Sequence, residues 1–215
     1  MFNFNIANLL LNRPNNHVDS SIISTDQIRV LLSLLESTIQ HNISGDIVEF
    51  GCYVGESSKY FRMILDYYRS NKELYVYDSF EGLPPLSKYE ENTGWRSGTL
   101  KTTEDILLHN FLNNGLRPPA ITKGWFKDVP EKKIPDQISF AFLDGDFYDS
   151  IYDSLNKIFN KVSSGGIIAF HDYERPDLPG VKAAVDNFII EQNLSSDRYL
   201  QFKIFHELGV LIKTY

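Results

Sequence analysis

From residue 25 almost to the end of the chain, short apolar runs alternate with longer stretches in which apolar residues recur every three or four positions. The runs at 47–50, 74–77, 120–123, 138–143 and 167–170 are bounded by turn residues and predict five buried strands. Between them lie helical stripes. Ile28, Leu31, Leu32, Leu35 and Ile39 mark one face of a helix that ends near Gln40, with Ser24, Thr25 or Asp26 as its cap. Tyr60, Phe61, Ile64, Leu65 and Tyr68 mark a second. Thr102 or Thr103 opens a third, which stops at Asn114 before Gly115. Ile151, Leu155, Ile158 and Phe159 carry a fourth over about residues 150–162, and residues 181–191, entered through Pro179-Gly180, form a fifth. In the tail, residues 199–206 and 209–214 read as two strands with a short link. They must pair antiparallel at a sheet edge, because a parallel pair needs a longer crossover.

Two stretches stand outside this rhythm. Residues 1–24 are polar and Asn-rich after Leu9-Leu10-Leu11, and read as an N-terminal arm before one domain, 25–215. A partner subunit, as in a homodimer, or the functional site is where such an arm would pack. Residues 81–99 hold Gly82, Pro84, Pro85, Gly94 and Gly98 and read as a mobile lid, with Tyr89, Trp95 and Arg96 as candidate substrate contacts.

Composition narrows the class. With 42% apolar and 23% charged residues the chain is an ordinary folded protein. A net charge of −7 argues against nucleic acid or an anionic membrane as the main partner. No apolar run reaches the ~18–20 residues of a membrane span, and the start lacks the features of a signal peptide. Cys52 is the one cysteine, which suits a reducing cytoplasm. It sits in a Gly turn, where a small packed residue is a better reading than a reactive thiol.

The candidate chemistry collects at the strand ends. Glu49 closes the first strand, followed by Gly51 and Gly55 and then a helix start, a turn that brings backbone N–H groups close to a ligand. An amine-bearing ligand would partner a carboxylate placed as Glu49 is. Ser57 or Ser58 can help hold a ligand carboxylate. Asp78 closes the second strand and can accept both hydroxyls of a ribose. After the third come Gly124 and Trp125, an indole that could flank an adenine. Asp144 and Asp146 end the fourth, His171 and Asp172 the fifth. Asp144 and Asp172 are hard oxygen ligands for a divalent cation such as Mg²⁺, and His171 titrates in the range of a proton acceptor. For Asp146 a helix-cap role and a site role stay open. His41 sits near the C-terminus of the first helix and His109 within the third, and both are structural in this reading. In a parallel sheet all five ends share one edge, so residues scattered in sequence converge.

The segments Glu49-Phe-Gly51-x-x-x-Gly55, Asp78-Ser79-Phe80-Glu81-Gly82-Leu83-Pro84, Gly124-Trp-Phe, Asp144-Gly145-Asp146-Phe147-Tyr148 and Gly165-Gly166-Ile-Ile-x-x-x-Asp172-Tyr173 resemble the macrocin O-methyltransferase (TylF-like) family over roughly residues 45–190. The resemblance implies a Rossmann-like α/β domain. Its seven-stranded sheet is mostly parallel with an antiparallel last strand, and helices cover both faces. It implies methyl transfer from S-adenosylmethionine to a hydroxyl of a small molecule such as a sugar, with Mg²⁺ assistance. It puts cofactor contacts on Glu49, Gly51, Asp78 and Ser79, to which the reading of the strand ends adds Tyr53, Gly55, Ser57, Gly124, Trp125 and Asp144. The resemblance puts metal contacts on Asp144 and Asp172; the reading of the residues themselves adds His171 to the metal group and gives catalytic roles to His171 and Asp144. The chain departs from the family at His171, where members commonly carry an aspartate. A weaker metal site, an ion that accepts imidazole, or His171 acting alone as base are the alternatives. Two other functions stay open: a metal-dependent glycosyltransferase using Asp144-Gly145-Asp146, and a non-catalytic S-adenosylmethionine-binding domain. A dinucleotide dehydrogenase fits poorly, since Gly51 and Gly55 are not in Gly-x-Gly-x-x-Gly spacing.

Overall fold

The structure, a computed structural model, describes residues 5–12, 22–194 and 200–214. Among them the strands are β1 (Asp46–Phe50), β2 (Leu74–Asp78), β3 (Ala120–Lys123), β4 (Ile138–Leu143), β5 (Val162–Phe170), β6 (Leu200–Phe205) and β7 (Leu208–Lys213). They form one sheet in the order β3-β2-β1-β4-β5-β7-β6. The first five are parallel, and β7 lies antiparallel between β5 and the edge strand β6. The strand order reverses between β1 and β4, which opens a crevice beyond their carboxyl ends.

Both faces of the sheet are covered, which is why the parallel strands read as continuous apolar runs. On one face, Ile47, Phe140, Phe142 and Ala169 pack against α1 (Asn5–Leu11), α2 (Thr25–Gln40), α3 (Glu56–Tyr67) and α4 (Glu104–Asn113). On the other, Val48, Phe50, Ala141, Leu143 and Ile168 pack against α5 (Tyr148–Ile158) and α6 (Pro179–Glu191). Ser24 caps α2 with a reciprocal bond from Gln27, and Thr103 caps α4.

Several boundaries differ from the sequence reading. The Gly165-Gly166 pair does not turn into β5; it lies inside it. That strand starts at Val162, and its register against β4 slips between Ile138 and Phe140, so the glycines form an irregularity that the chain crosses without leaving the sheet. The helix expected over about 150–162 is α5, followed by a 3₁₀ turn at Phe159–Lys161. The arm is partly helical: α1 packs on α2 and α3 and buries Ala7 and Leu10. Residues 1–4 and 13–21 of the arm and Tyr199 of the tail fall outside the described residues. Among the described residues, no helix is long and apolar enough to cross a membrane.

Candidate active site

A cavity of about 690 Å³ lies at the carboxyl ends of β1, β2, β4 and β5. Each strand delivers part of its wall: Gly51 and Tyr53 from β1, Asp78 and Ser79 from β2, Trp125 and Phe126 from the turn after β3. Asp144 and Asp146 follow β4, and His171 and Asp172 follow β5. The turns are tight. Tyr53, Phe80, Asp146 and Asp172 all have positive φ, between 48° and 59°. Left-handed backbone at non-glycine residues is unfavourable, and its clustering at four strand ends marks a functional rim.

Gly51 sets the approach of two of these strands. Its φ is 88°, and a Cβ there would stand 1.8 Å from the carbonyl oxygen of Asp144. Its N–H donates to Tyr77 at 2.9 Å, while the Asp144 N–H donates to Phe50 at 2.8 Å. Asp78 then organises the loop beyond Gly51. Its Oδ2 accepts the N–H groups of Cys52 and Tyr53 at 3.0 and 2.8 Å, and its Oδ1 accepts that of Phe80 at 2.7 Å. Burial pushes the Asp78 carboxyl up, against the pull of these N–H groups.

Four expected cofactor contacts are elsewhere. Glu49 is fully buried and points to the α3 side of the sheet, because β1 alternates faces and the cavity-facing register belongs to its neighbours. Its carboxyl accepts hydrogen bonds from the Ser57 and Ser58 hydroxyls. Burial raises its pKa to about 8, with the serine bonds opposing and Asp144 and Asp78 adding to the rise. Ser57 is therefore occupied with Glu49. Gly55 is the cap of α3, with room for a Cβ limited by Phe111 and Leu107 at 3.2 and 3.3 Å. Gly124 donates its N–H to the Asp78 carbonyl at 2.9 Å and does not line the cavity. Cys52 is buried, and burial, then Asp78 and Glu49, push its thiol well up, so it is a packed small residue.

The acidic end of the cavity is an ion-pair cluster. His171 Nδ1 lies 2.8 Å from Asp144 Oδ1 and 3.5 Å from Asp172 Oδ2, and Arg175 Nη1 lies 3.5 Å from the same Asp172 oxygen. Burial alone would lower the His171 pKa, but the charge and hydrogen bond of Asp144, with Asp172 and Asp146, outweigh it and raise the value to about 9. The carboxylates around His171 thus favour its protonated ring, which weighs against a part as free base unless an ion displaces the proton. Asp172 is pushed up to about 6, chiefly by burial. The cap role for Asp146 is excluded: the N-cap of α5 is Phe147, with no side-chain bond. Asp146 instead faces the cavity, and burial, then Asp144 and Asp172, raise its pKa.

Asp144, His171 and Asp172 come together as expected for a metal group, with one ligand atom each within 4.8 Å of one another. Two carboxylates and one imidazole suit an ion that accepts nitrogen, such as Mn²⁺, better than Mg²⁺, which favours oxygen throughout. The cavity suits S-adenosylmethionine: its volume is that of a cofactor site, Asp78 lines it with one acceptor site on Oδ1 left for a ligand hydroxyl, and Trp125 and Phe126 offer aromatic faces.

The 81–99 segment forms the apolar side of the cavity through Leu83, Pro84, Pro85, Leu86 and Trp95. Tyr89 and Arg96 are not on the wall; Tyr89 stacks on Tyr148 with centroids 4.3 Å apart. Sequence reasoning missed Arg175, which stands three residues beyond Asp172, the spacing of a paired side chain on one turn. It also missed Glu90, fully buried within the loop read as a mobile lid.

The family model for macrocin O-methyltransferase (TylF) matches residues 11–200. The chain is 29% identical over 177 residues to demethyldecarbamoylnovobiocin O-methyltransferase of Streptomyces niveus, covering 78% of this chain and 67% of that protein. It is 24% identical over 191 residues to mycinamicin III 3''-O-methyltransferase of Micromonospora griseorubida, covering 84% and 74%. The chain thus spans roughly two thirds to three quarters of the length of these relatives. Among solved structures, the O-methyltransferase NovP superposes with a TM-score of 0.79 at 27% identity, over 90% of this chain and 81% of that one. The calicheamicin methyltransferase CalS11 shares the fold, with a TM-score of 0.68 at 18% identity over 96% and 89%. With most of its length matched and the cavity built on the segments that carry the likeness, this chain belongs to the macrocin O-methyltransferase (TylF) family of S-adenosylmethionine-dependent O-methyltransferases.

Proposed function

We propose that the chain methylates a hydroxyl on a sugar unit of a small-molecule acceptor, in the cytoplasm, where Cys52 stays reduced. The observation that carries this reading is that Asp78, the Asp144–His171–Asp172 cluster and the Gly51 turn line one cavity. A relative from Streptomyces olivaceus, 28% identical over 173 residues and named as a 4'-O-methyltransferase of a rhamnosyl tetracenomycin C, supports the acceptor class.

S-adenosylmethionine supplies a methyl on a sulfonium, an electrophile that needs no further activation. The protein's task is placement and proton removal. Asp78 and the N–H groups it holds at Cys52 and Tyr53 set the cofactor end of the cavity, Gly51 and Ser79 allow close approach, and Trp125 walls it. Asp144, His171 and Asp172 would hold a divalent ion, which would polarise the acceptor oxygen. His171 donates from Nδ1 to Asp144 Oδ1 and so orients that carboxylate. Asp144 Oδ2 has no hydrogen bond among the described residues, and we assign it as the acceptor of the hydroxyl proton. Arg175, with Nη1 3.5 Å from Asp172 Oδ2, offsets the charge of Asp172 and keeps it fixed beside the acceptor. Leu83, Pro84, Leu86 and Trp95 exclude water from the opposite side, which strengthens the electrostatics of the cluster.

Calorimetry with S-adenosylmethionine tests the cofactor end: the expected result is saturable binding, and none at millimolar concentration defeats the reading. Asp172→Ala should reduce turnover at least about a hundredfold with cofactor affinity nearly unchanged, since Asp172 stands on the acceptor side. Full activity in that variant would remove it from the mechanism.

A further inference from the structure

Helices α5 and α6 both start without a side-chain cap of their own, because their N-cap residues are Phe147 and Leu178. The first N–H groups of a helix need acceptors, and apolar caps supply none. One acceptor comes from the lid. Glu90 is fully buried, and its Oε1 accepts the N–H of Tyr148, the first residue of α5, at 3.0 Å. Its Oε2 accepts the N–H and hydroxyl of Ser87, at 3.0 and 2.5 Å, which closes the lid's own turn. Toward α6 the contact is steric. A Cβ on Gly180, the second residue of α6, would stand 2.0 Å from Glu90 Oε1, so only glycine leaves room for the carboxylate. Two helix starts therefore converge on one anion, and both dipoles favour its charge.

This position ties together two walls of the cavity. Tyr148 follows Asp146 by two residues, so the bond from Glu90 reaches the loop that carries Asp144 and Asp146. On the lid side, Glu90 lies between Leu86 and Trp95, both on the apolar wall. Its neighbour Tyr89 stacks on Tyr148, and Trp95 Nε1 donates to Asp177 at 3.3 Å. We infer that Glu90 is a positioning residue for the methyl transfer proposed above: its carboxylate, seated where α5 and α6 begin, docks the 81–99 lid as the acceptor-side wall and registers it against the Asp144–Asp146 loop. Methyl transfer is taken from that reading, while lid docking can be measured without turnover, so the two fail separately.

Lys88 and Arg96 are exposed in the lid and are trypsin sites. Glu90→Gln keeps the volume and removes the charge; Gly180→Ala leaves Glu90 in place chemically and displaces it sterically. Both variants should be cleaved at Lys88 or Arg96 roughly tenfold faster than the parent, the local opening expected from losing one such cap. The calorimetric Kd for S-adenosylmethionine should stay within about twofold, because the lid residues bonded to the cofactor end, Glu81 and Gly82 on Ser79, lie at least eight positions before Glu90. With methyl α-L-rhamnopyranoside as the probe acceptor, KM should rise about tenfold with kcat changed less. Unchanged lid cleavage in both variants overturns the inference. So does a cofactor Kd that rises in step with the acceptor KM, which would mark general loosening and not lid position. If the parent does not turn over the rhamnoside, that counts against the sugar acceptor alone, and the cleavage rates still decide the role of Glu90.

Discussion

The carboxyl of Glu49 is fully buried, accepts from Ser57 and Ser58, and has its pKa raised from 4.5 to about 8. A carboxyl whose folded pKa lies above its unfolded one favours folding while protonated. Its contribution is complete below about pH 4.5, declines as pH rises, and is gone above about 8, at up to about 1.4 kcal/mol per pH unit. Glu49→Gln mimics the protonated form and keeps partners for both serines. The variant should therefore show a flatter fall of Tm between pH 5 and 8 and be more stable than the parent at pH 8. A slope identical to the parent's would show that Glu49 is ionised in the folded protein. Its expected part as a cofactor carboxylate was legible as a residue type at a strand end. The face it points to was not, because a strand alternates sides and one position decides which layer a side chain enters. His171 follows a similar logic. Its nearness to neutral titration was visible from sequence, but its state depends on Asp144 and Asp172, which stand 27 residues before it and directly after it.

Among the elements, the first four strands were the most legible in the sequence. Strands β1, β2, β3 and β4 were legible to within a residue, since each is a short, mainly apolar run bounded by turn residues. The start of β5 and the arm helix α1 were not, because Ser163, Ser164, Gly165 and Gly166 carry no strand propensity and are held by pairing with neighbours. Gly51 shows an element boundary that is also a packing constraint. Gly51→Ala would place a Cβ 1.8 Å from the Asp144 carbonyl at a φ of 88°, backbone against backbone, with no flexible side chain to give way. The expected loss is about 3 kcal/mol or more, a fall in Tm of roughly 6–12 °C. Thermal unfolding checks it; a shift under about 2 °C would mean that β1 and β4 can separate without penalty. The lid belongs to this scale too. Its composition suggested a mobile loop, and its buried Glu90 and the Tyr89–Tyr148 stack dock it instead.

At the scale of the whole molecule, the parallel sheet brings five strand ends to one rim, and the order reversal between β1 and β4 opens the cavity there. A ligand that binds the folded state raises Tm by mass action, by about 2.7 kcal/mol at a hundred times Kd, roughly 5–10 °C for a chain of this size. S-adenosylmethionine should do so and a uridine nucleotide should not. The reverse result would favour the glycosyltransferase reading of Asp144-Gly145-Asp146. Asp78→Asn should reduce the cofactor's shift by at least about 3 °C, since Asp78 both faces the cavity and holds the Cys52 and Tyr53 N–H groups.

Alternation of strand and helix patterns determined the layered α/β fold, and the acidic and glycine tips determined that chemistry would gather on one edge. Both follow from local periodicity and from the rule that parallel strands share a direction. Which tips face the cavity, which charge balances which, and where the lid rests were decided only by tertiary structure. Side-chain direction, burial and ion pairing depend on neighbours far away in the chain: Glu49 meets the α3 serines, His171 meets Asp144, and Glu90 meets the start of α5.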